Sequence, residues 1–310
     1  DLTFVWLRRV MGDSERVSET HAFLIGTPKS GTTWLAATLS QNPNICVSNP
    51  KEPNIIATHK GTFSRNDEQP DWEHYESFFE GRGIRLDASI HAFSCPEAPM
   101  RISERFEDPR FILSFREPVS RIFSHWRMIV DNGEAEVNGA DWSEFKSAWE
   151  DERLRCDSRY GSSMERWLEK FELDRFYIIE STDLRTRPKE VLSELNEFLG
   201  LPRHDYNIDM KRESNSASSR RPMSATGKIV RTIFSYVPGL LKGPIVRILE
   251  KRNLNIYKAP ILSKKVQVLK PQNEHYRICD KTVSKEVKLL SKITGFDAKG
   301  WMERQDQTDR

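Results

Sequence analysis

HAFLIGTPKSGTTWLAATL, residues 21–39, joins an apolar run, a glycine-containing loop and a helical pattern. Residues 21–26 have the length and the closing glycine of a buried parallel strand. Leu35 and Leu39 then recur at helical spacing. Where a strand, a short loop and a helix follow one another, backbone N–H groups at the helix N-terminus form a concave site suited to a phosphate. The segment therefore predicts an anion-binding loop at the carboxyl end of a strand.

Short β-type runs and segments of helical pattern alternate through the N-terminal two thirds of the chain. The other β-type runs lie at 45–48, 83–89, 110–115 and 175–181. Helical patterns occupy 119–131 and 161–171, and a serine-rich polar loop at 212–221 precedes an apolar, helical C-terminal part. The alternation predicts an α/β fold, with a P-loop-like central parallel sheet flanked by helices and with a C-terminal helical extension.

The loop differs from the ATPase and GTPase loop in a way that bears on metal binding. In those enzymes the pattern GxxxxGK[ST] puts lysine after the last glycine and a hydroxyl residue where it holds magnesium. Here Lys29 precedes Gly31 and Thr32 follows it. The run 110–115 is followed by Arg116, and not by the aspartate that holds magnesium in P-loop enzymes. Since an arginine there repels a metal and binds a second phosphate, the sequence predicts a nucleotide with two separate anionic groups and no metal.

Composition limits the partners of the chain. Of 310 residues, 48 are Lys or Arg and 46 are Asp or Glu, which gives a net charge of +2 at pH 7. Nothing in this balance demands nucleic acid or an anionic bilayer. The four cysteines form no CxxC pair and no histidines stand at zinc-binding spacing, so we expect neither a disulfide scaffold nor a metal site. This cysteine usage favours a cytoplasmic location, with the Golgi lumen as the alternative if an N-terminal anchor was removed.

Two motifs resemble those of the PAPS-dependent sulfotransferase family, whose donor PAPS is 3′-phosphoadenosine 5′-phosphosulfate. PKSGTTW at 28–34 is similar to the family's 5′-phosphosulfate loop. FREPVSRIFSH at 115–125 is similar to its 3′-phosphate motif, whose arginine and serine lie eight residues apart, as Arg116 and Ser124 do. The resemblance covers most of residues 21–205 and is closest in pattern to the heparan-sulfate-type and bacterial branches.

The resemblance implies which residues contact the donor, with 3′,5′-ADP as the product and no metal. The implied contacts are Lys29, Ser30, Gly31, Thr32, Thr33, Trp34, Arg116 and Ser124. Trp34 stands where a tryptophan stacks on adenine in the cytosolic branch. Arg220 and Arg221 lie where family members bring a late basic loop onto the 3′-phosphate, although Pro222 replaces the glycine of the cytosolic version.

Sulfuryl transfer needs a group that absorbs charge on the bridging oxygen and a base that takes the proton of the acceptor. Lys29 is the candidate for the first role. Glu52, in NPKEPNII at 49–56, stands where the heparan-sulfate-type and bacterial branches carry a glutamate base. His91 is the alternative, since the cytosolic branch uses a histidine base in roughly this region. Near His91, Ala88 replaces a lysine of the heparan-type enzymes.

We expect a single sulfotransferase domain over 1–310. Its PAPS-binding core is at 21–205, and a polar loop and helical part at 206–310 shape the acceptor side. The resemblance implies an acceptor hydroxyl, or an amine as the alternative, on an unidentified carbohydrate, lipid or small molecule. Two other functions remain open, a P-loop-type kinase and a catalytically inactive nucleotide-binding module.

The stretch 229–249 raises the question of a membrane contact. It is apolar, but Arg231, Lys242 and Arg247, two prolines and two glycines interrupt it, so we expect no transmembrane span. The pattern favours two short amphipathic helices packed on the core. A lid over an apolar acceptor, or a peripheral contact with lipid headgroups, is the alternative.

Overall fold

The computed structural model of the chain describes residues 20–65, 69–208 and 269–301. Within these ranges the strands are β1 (His21–Gly26), β2 (Ile45–Val47), β3 (His59–Lys60), β4 (Ser64–Arg65), β5 (Ile84–Asp87), β6 (Pro109–Phe115) and β7 (Phe176–Glu180). The α-helices there are α1 (Thr32–Leu39), α2 (Trp72–Glu76), α3 (Ala98–Arg105), α4 (Pro118–Asn132), α5 (Glu134–Val137), α6 (Phe145–Glu150), α7 (Glu152–Arg155), α8 (Tyr160–Leu168), α9 (Asp183–Thr186), α10 (Pro188–Phe198) and α11 (Asn273–Thr294). Short 3-10 turns span Cys156–Ser158 and Leu173–Arg175.

Five of these strands form one parallel sheet in the order β2-β5-β1-β6-β7. Each neighbouring pair runs parallel, and β1 lies between β5 and β6. Helices cover both faces of this sheet. The predicted α/β class, a P-loop-like central parallel sheet flanked by helices, is therefore confirmed. Helix α11 is the part of the predicted C-terminal extension that lies within the described residues.

The predicted β-type runs agree with the strands to within two residues at each end. The sequence pattern did not show the antiparallel hairpin of β3 and β4, whose strands have two residues each and are too short to display a periodic pattern. It also did not show helix α3, which buries Arg101 and exposes Met100, so that its apolar residues do not mark its buried face. The predicted loop at 212–221 and the stretch 229–249 lie outside the described residues.

The central strand β1 is buried along its whole length, so it needs apolar side chains on both faces. Phe23 and Ile25 face the larger cluster of buried side chains, to which α4, α8 and α11 contribute. Ala22 and Leu24 face the smaller cluster, which includes residues of α1 and α10. Alternate residues of one strand point to opposite faces of a sheet. The continuous apolar run therefore follows from a sheet with helices on each side.

Helix α4 begins shortly after β6 and carries part of one of the two predicted anion motifs. Its N-cap residue Glu117 accepts hydrogen bonds from the N–H groups of Val119 and Ser120, at 2.9 and 2.8 Å. Pro118 occupies the first turn, where its missing N–H costs nothing. Tyr276 of α11 donates to Glu117 Oε2 at 3.3 Å. The start of α4 is thus fixed by its own cap and by the C-terminal helix.

Helix α11 packs closely against α8. Glu286 of α11 accepts hydrogen bonds from Ser162 N and Ser162 Oγ, at 2.8 and 2.6 Å, in the first turn of α8. A Cβ atom at Gly161 would lie only 2.6 Å from Glu286 O and 2.7 Å from Leu289 Cβ. The glycine therefore permits the close approach of the two helices. Among the described residues, no helix is both long enough and apolar enough to cross a bilayer.

A buried carboxyl group ends strand β5. Asp87 has an exposed fraction of 2%, and its Oδ1 accepts from Ser89 N at 2.8 Å. Its buried Oδ2 has no hydrogen-bond partner among the described residues. Burial raises the pKa of Asp87 to about 6, although the hydrogen bonds from Ser89 act in the opposite direction. In the folded protein Asp87 therefore keeps its proton up to a higher pH than it does in the unfolded chain.

We expect Gly161→Ala to lower the free energy of unfolding by about 1–3 kcal/mol, because α8 and α11 must separate to admit a methyl group. Gly300→Ala is the matched control, since a Cβ atom there meets nothing within 4 Å. Urea unfolding of the two variants measures the difference. Equal stabilities for both variants would contradict the contact.

We expect Asp87→Asn to remove a pH-dependent part of stability. The folded pKa of about 6 exceeds the unfolded value of about 3.9. The contribution of Asp87 is therefore complete below about pH 4 and is lost as pH rises through about 6. Between pH 4.5 and pH 7, the unfolding free energy of the wild type should fall by about 2 kcal/mol relative to the variant. Parallel pH profiles in urea unfolding would show that Asp87 titrates normally.

Candidate functional site

Two glycines give the loop after β1 its shape. A Cβ atom at Gly26 would lie 3.0 Å from Phe93 Cβ and 3.4 Å from Ile90 O, so the segment after β5 packs directly on the start of the loop. Gly31 has φ +84°, and a Cβ atom there would meet Leu184 Cδ1 at 2.8 Å. A side chain at Gly31 would be strained and would displace Leu184. The backbone can therefore turn tightly into α1 only with glycine at this position.

The loop is attached to the neighbouring strand β6. Thr27 N donates to Ser114 O at 3.0 Å, and Thr27 Oγ1 donates to the same oxygen at 3.1 Å. Ser114 Oγ donates in return to Ser30 O at 2.7 Å. The hydroxyl groups of Thr27 and Ser30 lie 2.8 Å apart, within hydrogen-bond distance. These bonds fix the loop relative to β6 without help from a ligand.

The loop lysine and the strand-end arginine lie close together. Arg116 Nη1 donates to Lys29 O at 3.2 Å, and Lys29 Nζ donates to Met128 Sδ on α4 at 3.4 Å. Burial lowers the pKa of Arg116 below the usual arginine value. The two predicted anion motifs therefore meet at the carboxyl edge of β1 and β6, which is where ligands bind in open α/β sheets.

Tyr160, the first residue of α8, contacts the backbone of Arg116. Its hydroxyl donates to Arg116 O at 3.0 Å. Burial raises the pKa of Tyr160 to about 12, so the hydroxyl keeps its proton at neutral pH. Ser124 follows Pro118 by about two helical turns and is half-buried. Arg116 thus lies at the end of strand β6, and Ser124 lies on helix α4, which follows that strand.

Glu52 lies in the loop after β2, which is joined to the loop after β5. Ala88 N donates to Lys51 O at 3.3 Å, and Asn54 N donates to Ser89 Oγ at 3.0 Å. Lys51 Nζ lies 2.5 Å from Glu52 Oε1. The Glu52 side chain is 30% exposed, so one of its oxygen atoms is held by Lys51 while the carboxylate remains accessible.

His91 belongs to a buried polar network centred on Asp157. Asp157 Oδ1 lies 3.6 Å from His91 Nδ1, and its Oδ2 lies 3.7 Å from His125 Nδ1. Burial raises the pKa of Asp157, but His91 and Arg121 more than offset this and hold that pKa well below its usual range. Burial, with the charge of Arg121, holds the pKa of His125 well below its usual range. A carboxylate at Nδ1 of His91 favours the tautomer in which Nε2 is the basic atom.

Of the twelve site residues predicted from the sequence, the structure describes ten. Those at the carboxyl edge of the sheet comprise Lys29, Ser30, Gly31, Thr32, Thr33, Trp34, Glu52, His91, Arg116 and Ser124. Arg220 and Arg221 lie outside the described residues. Asp157 was not singled out from the sequence, because nothing in its local pattern distinguishes it from an exposed carboxylate. Among the described residues there is no cluster of three His, Cys, Asp or Glu side chains arranged to hold a metal.

The chain is similar to known proteins both in sequence and in structure. The family model for the sulfotransferase domain matches residues 19–233. The bifunctional heparan sulfate N-deacetylase/N-sulfotransferase 1 of Caenorhabditis elegans is 25% identical over 191 residues, which is 59% of this chain and 22% of the relative. The heparan sulfate glucosamine 3-O-sulfotransferase 5 of Mus musculus is 25% identical over 194 residues, 58% of this chain and 53% of the relative. The chain therefore spans between about a fifth and about a half of the length of these curated relatives.

A sulfotransferase from Alicyclobacillus acidocaldarius has the same fold. The TM-score is 0.61 at 17% identity, and the match covers 92% of this chain and all of that one. The family match extends over both anion motifs and both candidate bases. The resemblance inferred from the two motifs is thereby confirmed, and the chain belongs to the sulfotransferase domain family.

Proposed function

We propose that the chain transfers a sulfuryl group from PAPS to an acceptor hydroxyl, with an acceptor amine as the alternative. One observation carries the proposal beyond family membership. Arg116 Nη1 contacts Lys29 O, so the loop and the strand-end arginine together offer two anion sites at one sheet edge. PAPS carries its 5′-phosphosulfate and its 3′-phosphate as two separate anionic groups, which matches this arrangement.

The start of α1 fits the 5′-phosphosulfate group. The N-cap residue Gly31 offers no side-chain cap, and no acidic residue lies in the first turn of the helix. The positive end of the helix is therefore left for an anion, as in other phosphate sites at helix N-termini. Lys29, Ser30, Thr32 and Thr33 would surround this group, and Trp34 would lie beside the adenine. Arg116 and Ser124 would take the 3′-phosphate, with charge-assisted hydrogen bonds from the guanidinium.

In the proposed reaction, the bond between sulfur and the bridging oxygen of the 5′-phosphosulfate breaks as the acceptor oxygen bonds to sulfur in line. The acceptor proton passes to Glu52, and 3′,5′-ADP leaves with the bridging oxygen. Lys29 would stabilise the negative charge that develops on that oxygen. Among the described residues, Lys51 holds Glu52 Oε1 and nothing donates to Oε2, which supports Oε2 as the atom that accepts the proton.

His91 is the alternative base, with Nε2 as its basic atom. Its side chain is 9% exposed, compared with 30% for Glu52, and its Nδ1 faces Asp157. A base must reach an acceptor that enters from solvent, so the more accessible Glu52 is the better candidate. The buried position of His91 suits a residue that shapes the acceptor side instead.

The acceptor is proposed by class. Two relatives are named for heparan sulfate, so a glycan is the first class to test, followed by a lipid and a small phenol. We also propose a single-domain organisation over 1–310 and a cytoplasmic location, with the Golgi lumen as the alternative.

Incubation with labelled PAPS and each acceptor class, followed by mass spectrometry for an added SO3, tests the activity. Transfer from magnesium-ATP instead would favour the kinase, and no transfer from either donor would favour the inactive module.

The purified protein should bind 3′,5′-ADP much more tightly than 5′-AMP, because only the former offers a phosphate to Arg116. We expect Arg116→Ala to cost about 2–4 kcal/mol of 3′,5′-ADP binding and to leave 5′-AMP binding nearly unchanged. Isothermal titration calorimetry measures both affinities.

The matched control is Arg127→Ala, which removes another half-buried arginine from the same part of the fold. Arg127 pairs with Asp131 at 2.8 Å, so its loss should not change nucleotide binding. Equal affinities of the wild type for 3′,5′-ADP and 5′-AMP would exclude a 3′-phosphate site.

Glu52→Gln should reduce sulfuryl transfer by about 10²–10⁴-fold, because the amide keeps the shape of the side chain but cannot take a proton. His91→Asn should reduce the rate by no more than about tenfold, an effect on acceptor positioning alone. The rates are measured with labelled PAPS and the acceptor that mass spectrometry identifies, and 3′,5′-ADP affinity should be unchanged in both variants. An inactive His91→Asn beside an active Glu52→Gln would assign the base to His91.

A further inference from the structure

Arg185 is near enough to the strand-end arginine for its charge to act on that group, although neither motif contains it. Ser181 N donates to Phe115 O at 2.6 Å, which continues the pairing of β7 with β6 to the residue before Arg116. Three residues later, Leu184 is 3% exposed and packs on Gly31. Arg185 follows Leu184 directly in α9 and is exposed. The segment after β7 therefore carries Arg185 to the same sheet edge.

The positive charges of Arg185 and Arg116 act on each other. After burial, the charge of Arg185 is the largest cause of the lowered pKa of Arg116. Two neighbouring guanidinium groups repel each other unless a negative group lies near both. Within the described ranges, no carboxylate lies within ion-pair distance of either arginine.

The nearby carboxylates are engaged elsewhere. Asp183 and Glu194 both pair with Arg187, at 3.0 Å in each case. Glu180 Oε1 accepts from Trp301 Nε1 at 3.1 Å. Glu117 caps α4, as described above. These carboxylates therefore pair with Arg187, accept from Trp301 or cap α4, and none of them pairs with Arg116 or Arg185. An external anion can bind to these two arginines instead.

We propose that Arg185 binds the 3′-phosphate of the donor nucleotide together with Arg116, and so helps to select a 3′-phosphorylated nucleotide. The inference rests on the proposed function, because it takes the anion to be part of PAPS. A phosphate with two negative charges can accept hydrogen bonds from two guanidinium groups and cancels their repulsion. Arg116 binds it from the end of β6, and Arg185 approaches from the end of β7 on the solvent side.

The test compares Arg185→Gln with Arg187→Gln, a matched control two residues away that removes an arginine already paired with carboxylates. Isothermal titration calorimetry gives the affinities of both variants and of the wild type for 3′,5′-ADP and 5′-AMP. Arg185→Gln should weaken 3′,5′-ADP binding by about tenfold and leave 5′-AMP binding unchanged. Arg187→Gln should change neither affinity, and Arg185→Lys should restore part of the loss because it keeps the charge.

Thermal unfolding without nucleotide separates a binding role from a structural one. Arg185→Gln should leave the Tm unchanged or raise it, because it removes a repulsion, and should reduce only the Tm increase caused by 3′,5′-ADP. A lower Tm without nucleotide, or unchanged 3′,5′-ADP affinity in a wild-type background that prefers 3′,5′-ADP to 5′-AMP, would overturn the role of Arg185. Loss of that preference in the wild type itself would overturn the proposed function and the inference with it.

Discussion

The hydrogen bonds between Thr27 and Ser114 are the constraint on which the rest of the site depends. They join the loop after β1 to the neighbouring strand β6, through both the backbone N–H and the hydroxyl of Thr27. Because Arg116 follows Ser114 by two residues, directly after the end of β6, the same bonds fix the distance between the loop and the strand-end arginine. Binding groups that are positioned before a ligand arrives lose less conformational entropy when it binds.

Support for this edge comes from both sides of the sheet. On one face, Tyr160 holds the carbonyl group of Arg116, and α11 in turn holds the first turn of α8 through Glu286. On the other face, Leu184 packs on Gly31 and fixes the start of α1. The site is therefore supported by residues that are far apart in the chain, so each sequence motif contains only a short part of it.

The sequence predicted the fold and located the loop after β1 for a physical reason. A buried strand, a glycine loop and a helix N-terminus each impose a local pattern, so residues 21–39 and Arg116 could be identified without a structure. The pairing of His91 with Asp157 could not, since it joins residues 66 positions apart that have no shared local pattern. Arg185 was missed because it looks like its neighbour Arg187 in the sequence. Only the fold shows that the carboxylates pair with one of them.

The contacts of α11 have a consequence for how the protein matures on the ribosome. The loop at 26–33 leaves the ribosome early, but Tyr276 and Glu286, which steady the starts of α4 and α8, follow about 250 residues later. Translation at about 5–20 residues per second separates the two events by about 10–50 seconds. A nascent chain would thus carry the complete loop after β1 well before the helices next to Arg116 are fully supported.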